Sequence, residues 1–386
     1  MSKKVSLLSL HTFSVTGGIQ KMTRIMAHSL YSICKEQGWD FKLSSLYDID
    51  DDHQEQYIPR KNYKGYQHSF VRFIADTIFK EKPDIMILTH VHLSVIGLLN
   101  ILINPKCKIW LVAHGVEVWR PFNLQKRLLL KRCDKIICVS SYTKQEMCRR
   151  HNVSPHFCEV VNNVIDPFFN PPATFERPHR LLYKYSIDAS HTILFSLTRL
   201  ASSEKYKGHD NVIRAVSKLK NSYPNLRYVL AGKYDEMEGR RVKDMITNLG
   251  VEKEVIMTGF IEDRDLTDHF LLADLFVLPS KKEGFGIVFI EALACGLPVV
   301  CGNADGSMDA IRNGELGTAI NPDSEQELEE EIIRAINARP SSQYRRHLQQ
   351  QCLAHFGETQ YINHLQQLLT ISLNNTINTK SQVNNE

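Results

Sequence analysis

The stretch ADLFVLPSKKEGFGIVFIEALACGLPVV, residues 273–300, holds a strand, a loop, a helix and a second strand in one short span. LFVLPS is an apolar run closed by proline, and SKKEGFG is polar and punctuated by glycine. IVFIEALACG is apolar except for Glu291 and stops at a glycine, after which PVV opens another strand. Continuous apolar strands joined by a helix indicate a parallel sheet covered on both faces. Glu283 stands beside the Gly-Phe-Gly turn and Glu291 lies inside the helix. They form no metal-ligand cluster, and their spacing does not make them an acid–base pair. Their role has to come from the rest of the chain.

Outward from this stretch the same alternation repeats. HTILFSLTRL, LRYVLAGK and EVIMTGF read as strands, separated by helices in GHDNVIRAVSKLKNSY, EGRRVKDMITNLG and RDLTDHFLLAD. Nearer the start, VSLLSL (5–10) is a strand, followed by a TGG turn and a helix. That helix carries Ile19, Met22, Ile25, Met26, Leu30 and Ile33 at close to a 3.6-residue period. FKLSSLY, DIMILTH, CKIWLVAHG and KIICVSS continue as strands, and a helix over about 67–81 stops before Pro83. VVNNVIDPFFNPPATFERPH (160–179) suits neither element, because its prolines and paired asparagines break both. The reading is α/β: a first parallel unit over 1–165, a linker over 166–180 and a second unit over 181–345, with a cleft between the units. Helical segments follow at about 325–337 and 344–373. The last buries Tyr361, Ile362, Leu365, Leu368 and Leu369 on one face, and residues 346–373 are expected to return to the first domain. The polar remainder, 374–386, is expected to be disordered.

At 386 residues, with 43% hydrophobic and 23% charged side chains, the chain has the composition of a soluble globular protein of two domains. A net charge of +4 is too mild for a nucleic-acid binder. The nine cysteines are scattered, and several lie in apolar runs, where a reduced thiol behaves as a small hydrophobe. A reducing, cytoplasmic setting is expected. The first residues hold too short an apolar run for a signal peptide, and no run is long enough to span a membrane.

Several blocks in this order resemble the retaining glycosyltransferases of family 4, which have the GT-B architecture of two facing Rossmann-like domains. They are GGIQK (17–21), HGVEVWR (114–120), NNVID (162–166), RLASSEKYKGHD (199–210) and the stretch that opened this section. The resemblance covers nearly the whole chain. It implies a nucleoside diphosphate sugar donor, UDP- or GDP-linked, held mainly by the second domain, and a saccharide or lipid-linked acceptor. It also implies work in surface polysaccharide or glycolipid synthesis, with peripheral association at the inner membrane left open.

Arg199 and Lys207 match the family's basic pair, and a guanidinium fork with an ammonium suits the oxygens of a diphosphate leaving group. Lys205 is a rival, but Gly208 and a helix start directly follow Lys207. The alternative for both residues is a basic surface at a strand end. His114, at the end of a first-domain strand, matches the histidine that faces the donor sugar; otherwise it is a buried structural histidine. The resemblance assigns Glu291 to the ribose hydroxyls and Glu283 to the sugar. Backbone N–H groups of Phe285, Gly286 and Ile287 would add to them at the helix N-terminus. The alternative for Glu291 is a solvated helix position, and Glu283 is either a covalent nucleophile or a positioning group. Gly17 and Gly18 either meet a phosphate or make a tight turn. Gly232 and Ile261 are candidate backbone contacts for the base.

No metal and no cofactor are expected. DIDDDH (48–53) has the D-x-D spacing of metal-dependent transferases, yet it reads as a solvated acidic loop. LQKRLLLKR (124–132) reads either as a helix with a charged outer face or as one lying on an anionic bilayer. A sugar-nucleotide 2-epimerase of the same fold and a non-catalytic sugar-nucleotide-binding subunit are the competing functions.

Overall fold

The computed structural model describes residues 2–381, with side chains up to residue 374. By its internal contacts the chain divides into two compact units, one of residues 1–167 with 356 onward and the other of residues 168–355.

The first unit is built on a seven-stranded sheet in the order β3-β2-β1-β4-β5-β6-β7. Its strands are β1 (Lys4–Ser9), β2 (Asp40–Ser45), β3 (Tyr63–Gly65), β4 (Ile85–Leu88), β5 (Lys108–Ala113), β6 (Lys135–Cys138) and β7 (Cys158–Val160). The second unit has six strands in the order β10-β9-β8-β11-β12-β13. These are β8 (Thr192–Leu197), β9 (Leu226–Ala231), β10 (Val255–Gly259), β11 (Leu275–Leu278), β12 (Val299–Gly302) and β13 (Thr318–Ile320). Every pairing is parallel. Central strands such as β4 and β11 are buried along their whole length, so the apolar runs reflect burial on both faces. In each sheet the strand order reverses at one place, between β1 and β4 and between β8 and β11. Connections diverge at such a reversal, and open α/β sheets bind ligands there, beyond the carboxyl ends of the strands.

Every strand read from the sequence is present, and β3, β7 and β13 were not foreseen. Each of these has only three residues, too few to show a period. The region expected as one helix over 344–373 is two, Ser342–Phe356 and Glu358–Ser381, interrupted at Gly357. The first of them belongs to the second unit: Gln349 donates to the Ala294 carbonyl at 2.9 Å and Cys352 Sγ to that of Ile290 at 3.2 Å. The return to the first unit therefore begins at Phe356, later than residue 346. It is fixed by polar contacts as well as by the buried face of Tyr361, Leu365, Leu368 and Leu369. Ile165 N–H donates to the Phe356 carbonyl at 2.9 Å, and Glu358 Oε1 lies 2.7 Å from His28 Nδ1 and 2.8 Å from Ser29 Oγ. Residues 374–381, expected as the start of a disordered tail, continue the helix, and 382–386 lie outside the described residues.

The acidic segment at 48–53 is not simply a solvated loop. Asp48 is fully buried, and its Oδ2 accepts the N–H groups of Thr12 and Phe13, both at 2.9 Å. Ser14 Oγ donates to Oδ1 at 2.5 Å, so Asp48 shapes the loop that leaves β1. Asp50–Asp52 form an exposed turn of 3₁₀ helix.

Candidate functional site

The residues singled out from the sequence fall into two groups, Gly17, Gly18 and His114 in the first unit and all the others in the second. In the second unit they follow the carboxyl ends of four strands, with Arg199 after β8, Gly232 after β9, Ile261 after β10, and Glu283 to Glu291 in the loop and helix after β11. Arg199 lies just past β8, and Leu200 is tied to Tyr234 by an isolated bridge. Lys207 follows in a single turn of 3₁₀ helix, Lys205–Lys207, and Gly208 then adopts φ +85°. A Cβ on Gly208 would lie 2.3 Å from the Pro279 carbonyl oxygen, so only glycine lets this chain cross the exit of β11 so closely. The crossing carries Lys207 to Glu283, with Nζ 2.5 Å from Oε1. Lys205 points outward and is exposed.

The Lys207–Glu283 pair is largely shielded from solvent, its side chains 15% and 13% exposed. Burial works to lower the Lys207 pKa, but the charge and hydrogen bond of Glu283, helped by Glu204 and Tyr206, leave it raised, so the ammonium stays charged. Arg199 is largely exposed and hydrogen-bonds Glu204. Each cation is thus held by a carboxylate, one deeply and one near the surface.

Glu291 is buried at 4% exposure on the helix Ile287–Ala294, which rules out a solvated helix position. Gly286, at φ +83°, is the N-cap of that helix and, having no side chain, makes no capping bond to its first amides. Phe285 is buried beside it. Gly232 sits at φ +136°, with its N–H on the Gly259 carbonyl at 2.8 Å. A Cβ there would lie 1.7 Å from the Thr198 carbonyl oxygen. Ile261 is buried just past β10. Thr198 Oγ1, next to Arg199, is buried and has no hydrogen-bond partner among the described residues, an open position for a polar ligand group.

Sequence reading missed Asp305. It lies past β12 in NADGS, a stretch that reads only as a turn. Its Oδ2 accepts the Glu283 N–H at 2.6 Å and its Oδ1 the Ser307 N–H at 2.9 Å. Burial, followed by the nearby Glu283 charge, raises its pKa to about 7.

In the first unit, Gly17 precedes the helix Gly18–Gln37 in an extended conformation, φ 174°. A Cβ on Gly17 would meet only the flexible end of Gln20, so local backbone geometry does not demand glycine there. His114 follows β5, and its Nε2 lies 3.1 Å from the Thr89 carbonyl oxygen. That contact places the proton on Nε2 and leaves Nδ1 a free acceptor position on the ring. Burial lowers the His114 pKa to about 4, only partly opposed by the Thr89 bond, so the ring is neutral. Glu117, also unforeseen, accepts the N–H groups of His114 at 2.6 Å and Gly115 at 3.2 Å and so fixes the HGVE turn.

One group among the described residues brings possible metal ligands together, His209, Asp210 and Glu238. Arg241 already satisfies it, with two bonds to Asp210 at 2.7 and 2.9 Å and two to Glu238 at 2.6 and 2.9 Å. The cation of this cluster is the guanidinium.

Two family models match, one to each unit. "Glycosyltransferase Family 4" matches residues 26–168 and "Glycosyl transferases group 1" matches residues 184–351. Among curated relatives is the GDP-mannose-dependent alpha-(1-6)-phosphatidylinositol monomannoside mannosyltransferase of Mycolicibacterium smegmatis. It is 28% identical over 218 residues, 54% of this chain and 55% of the relative. The mannosylfructose-phosphate synthase of Agrobacterium fabrum is 34% identical over 219 residues, 54% of this chain and 47% of the relative. The chain thus spans about half the length of the curated relatives it matches. Among solved structures, Anabaena HepE in complex with UDP-glucose superposes with a TM-score of 0.76 at 19% identity, covering 95% of this chain and 99% of that one. Sucrose-phosphate synthase from Thermosynechococcus elongatus gives 0.72 at 18% identity, covering 95% and 98%. The fold is that of GT-B glycosyltransferases, and the chain belongs to the family 4 type of these proteins.

Proposed function

We propose that the protein is a retaining glycosyltransferase that moves a hexose-type sugar from a UDP- or GDP-linked donor to a saccharide or lipid-linked acceptor, without a metal. The observation that carries this reading is the part-buried Lys207–Glu283 pair, with Arg199 near it, at the point where β8 and β11 diverge. A diphosphate leaving group gains negative charge as the glycosidic bond breaks. Lys207 and Arg199 are the cations of the second unit suited to stabilise it, the task a metal ion performs in other transferases.

Glu291 accepts hydrogen bonds from the ribose hydroxyls, and the amides of Phe285, Gly286 and Ile287 meet the donor at the helix N-terminus. Gly232 and Ile261 offer backbone contacts to the base. In the first unit Gly17 and Gly18 approach a phosphate, and the His114 Nδ1 accepts a hydroxyl of the transferred sugar. Substitution takes place on one face of the sugar, and the leaving phosphate oxygen takes the acceptor hydroxyl's proton. An ammonium held against Glu283 lowers the nucleophilicity of that carboxylate, which favours positioning of the sugar hydroxyls over covalent attack. The names of the relatives and neighbours, with GDP-mannose and UDP-glucose among them, support a nucleoside diphosphate sugar donor.

The acceptor side is proposed to lie at an anionic membrane surface, in surface polysaccharide or glycolipid synthesis. Leu124 and Leu128 of the helix Leu124–Leu130 are 71% and 45% exposed, and Leu102 of the helix packed on it is 79% exposed. Lys126, Arg127, Lys131 and Arg132 surround them in sequence. No helix of the described residues is long and apolar enough to cross a membrane.

The test is to offer purified protein UDP- and GDP-sugars in the presence of a chelator and to follow nucleotide release and the anomeric configuration of the product by NMR. Release from one donor with retained configuration is expected. Undetectable binding of every donor contradicts the reading, and an inverted product contradicts retention.

A further inference from the structure

We propose that Asp305 is a positioning residue of the donor site: its carboxylate fastens the loop carrying Glu283 to the turn after β12, and it takes up a proton from solvent when a diphosphate replaces Glu283 as the partner of Lys207. This inference rests on the donor-binding reading given above.

The fastening is shown by three bonds. Asp305 accepts the N–H groups of Glu283 at 2.6 Å and Ser307 at 2.9 Å, and the Gly306 N–H donates to the Glu283 carbonyl at 2.8 Å. Both Asp305 oxygens are therefore used as acceptors, which favours an ionised carboxylate. Two effects oppose ionisation. Asp305 is only 2% exposed, and no cation pairs with it among the described residues. The charge that acts on it is that of Glu283, and from β12 the thiol of Cys301 lies near it. Glu283 joins the two, its carboxylate on Lys207 and its N–H on Asp305.

Glu283 thus takes the ammonium of Lys207, and Asp305 is the neighbouring carboxylate without an ion-pair partner among the described residues. Burial and the Glu283 charge bring Asp305 to a pKa of about 7, where a modest change in field decides its protonation. A diphosphate at Lys207 brings further negative charge and withdraws the counter-charge of Glu283. Both changes disfavour a charged Asp305, so donor binding and protonation of Asp305 promote each other. Once protonated, Asp305 loses one of its acceptors, which loosens the turn at the moment Glu283 is released toward the sugar.

The experiment is isothermal titration calorimetry of UDP and of GDP at pH about 7 in two buffers of different ionisation enthalpy. The difference between buffers gives the protons exchanged per nucleotide bound. For a group half ionised at this pH, wild type is expected to take up about half a proton more than Asp305→Asn. Protons exchanged by the nucleotide's own phosphate are common to both proteins and cancel. Equal proton exchange in the two proteins, with binding intact, overturns this inference and leaves the glycosyltransferase reading standing. Binding of neither nucleotide to wild type overturns both. If Asp305→Asn does not fold, the wild-type pH series decides. Proton uptake rising from pH about 6 to about 8 supports the inference, and uptake that only tracks the nucleotide's own titration overturns it.

Discussion

Lys207→Met removes the cation of the part-buried pair while keeping most of the side chain's apolar length. Lys207 and Glu283 retain 15% and 13% of their side-chain exposure and meet at 2.5 Å. Deleting one partner of a buried pair costs about 3–5 kcal/mol, because the other charge stays behind without compensation. Residual solvent access to both side chains reduces this to about 2–3 kcal/mol. In a domain of this size each kcal/mol moves the melting midpoint by about 2–4 °C, so the transition of the second unit is expected to fall by about 4–12 °C. The assay is differential scanning calorimetry of wild type, Lys207→Met, Glu283→Gln and the double variant. The double variant leaves no orphaned charge and is expected to regain most of the loss, as a double-mutant cycle measures. A Lys207→Met midpoint within about 1 °C of wild type, or a double variant no better than the single one, refutes the reasoning.

Three further outcomes are expected. Glu291→Gln loses part of the acceptor for the ribose hydroxyls, and the affinity for UDP or GDP is expected to fall about tenfold, the value of one hydrogen bond to a charged group; calorimetric titration showing equal affinity contradicts the assignment. Gly232→Ala forces a Cβ to within 1.7 Å of the Thr198 carbonyl oxygen at φ +136°, and is expected to destabilise the second unit by more than about 1 kcal/mol in a denaturant melt; an unchanged midpoint contradicts the close approach. His114 has a pKa of about 4 and is neutral well into the acid range, so turnover is expected to show no loss from its protonation until pH nears that value. An activity loss centred near pH 6 that disappears in His114→Gln contradicts the buried, neutral ring.

Periodicity made the architecture legible, because apolar strands buried on both faces announce a parallel sheet and the proline-rich stretch at 160–179 marks the change of unit. The short edge strands β3, β7 and β13 were not legible, since three residues on a sheet margin carry no pattern. Within the site, Lys207 is preferred to Lys205 because Gly208 follows it, and in the structure that glycine permits the crossing that brings Lys207 to Glu283. Asp305 and Glu117 stayed hidden because each acts by accepting backbone N–H groups, in the case of Asp305 from a loop far away in sequence. Asp48 shows the same limit in reverse: a run of acidic residues looks solvated until its first member is seen buried under the amides of residues 12 and 13.

The central claim is that Lys207 and Arg199 stabilise a departing nucleoside diphosphate in place of a metal. The most direct measurement is the rate of nucleotide release from the donor sugar that the protein binds, with a chelator present, for wild type and for Lys207→Met. Release by wild type that is insensitive to the chelator, and slower by about a hundredfold in Lys207→Met, is predicted from the loss of one charge-assisted contact in the transition state. Release that stops with the chelator, or that proceeds at the wild-type rate in Lys207→Met, contradicts the account.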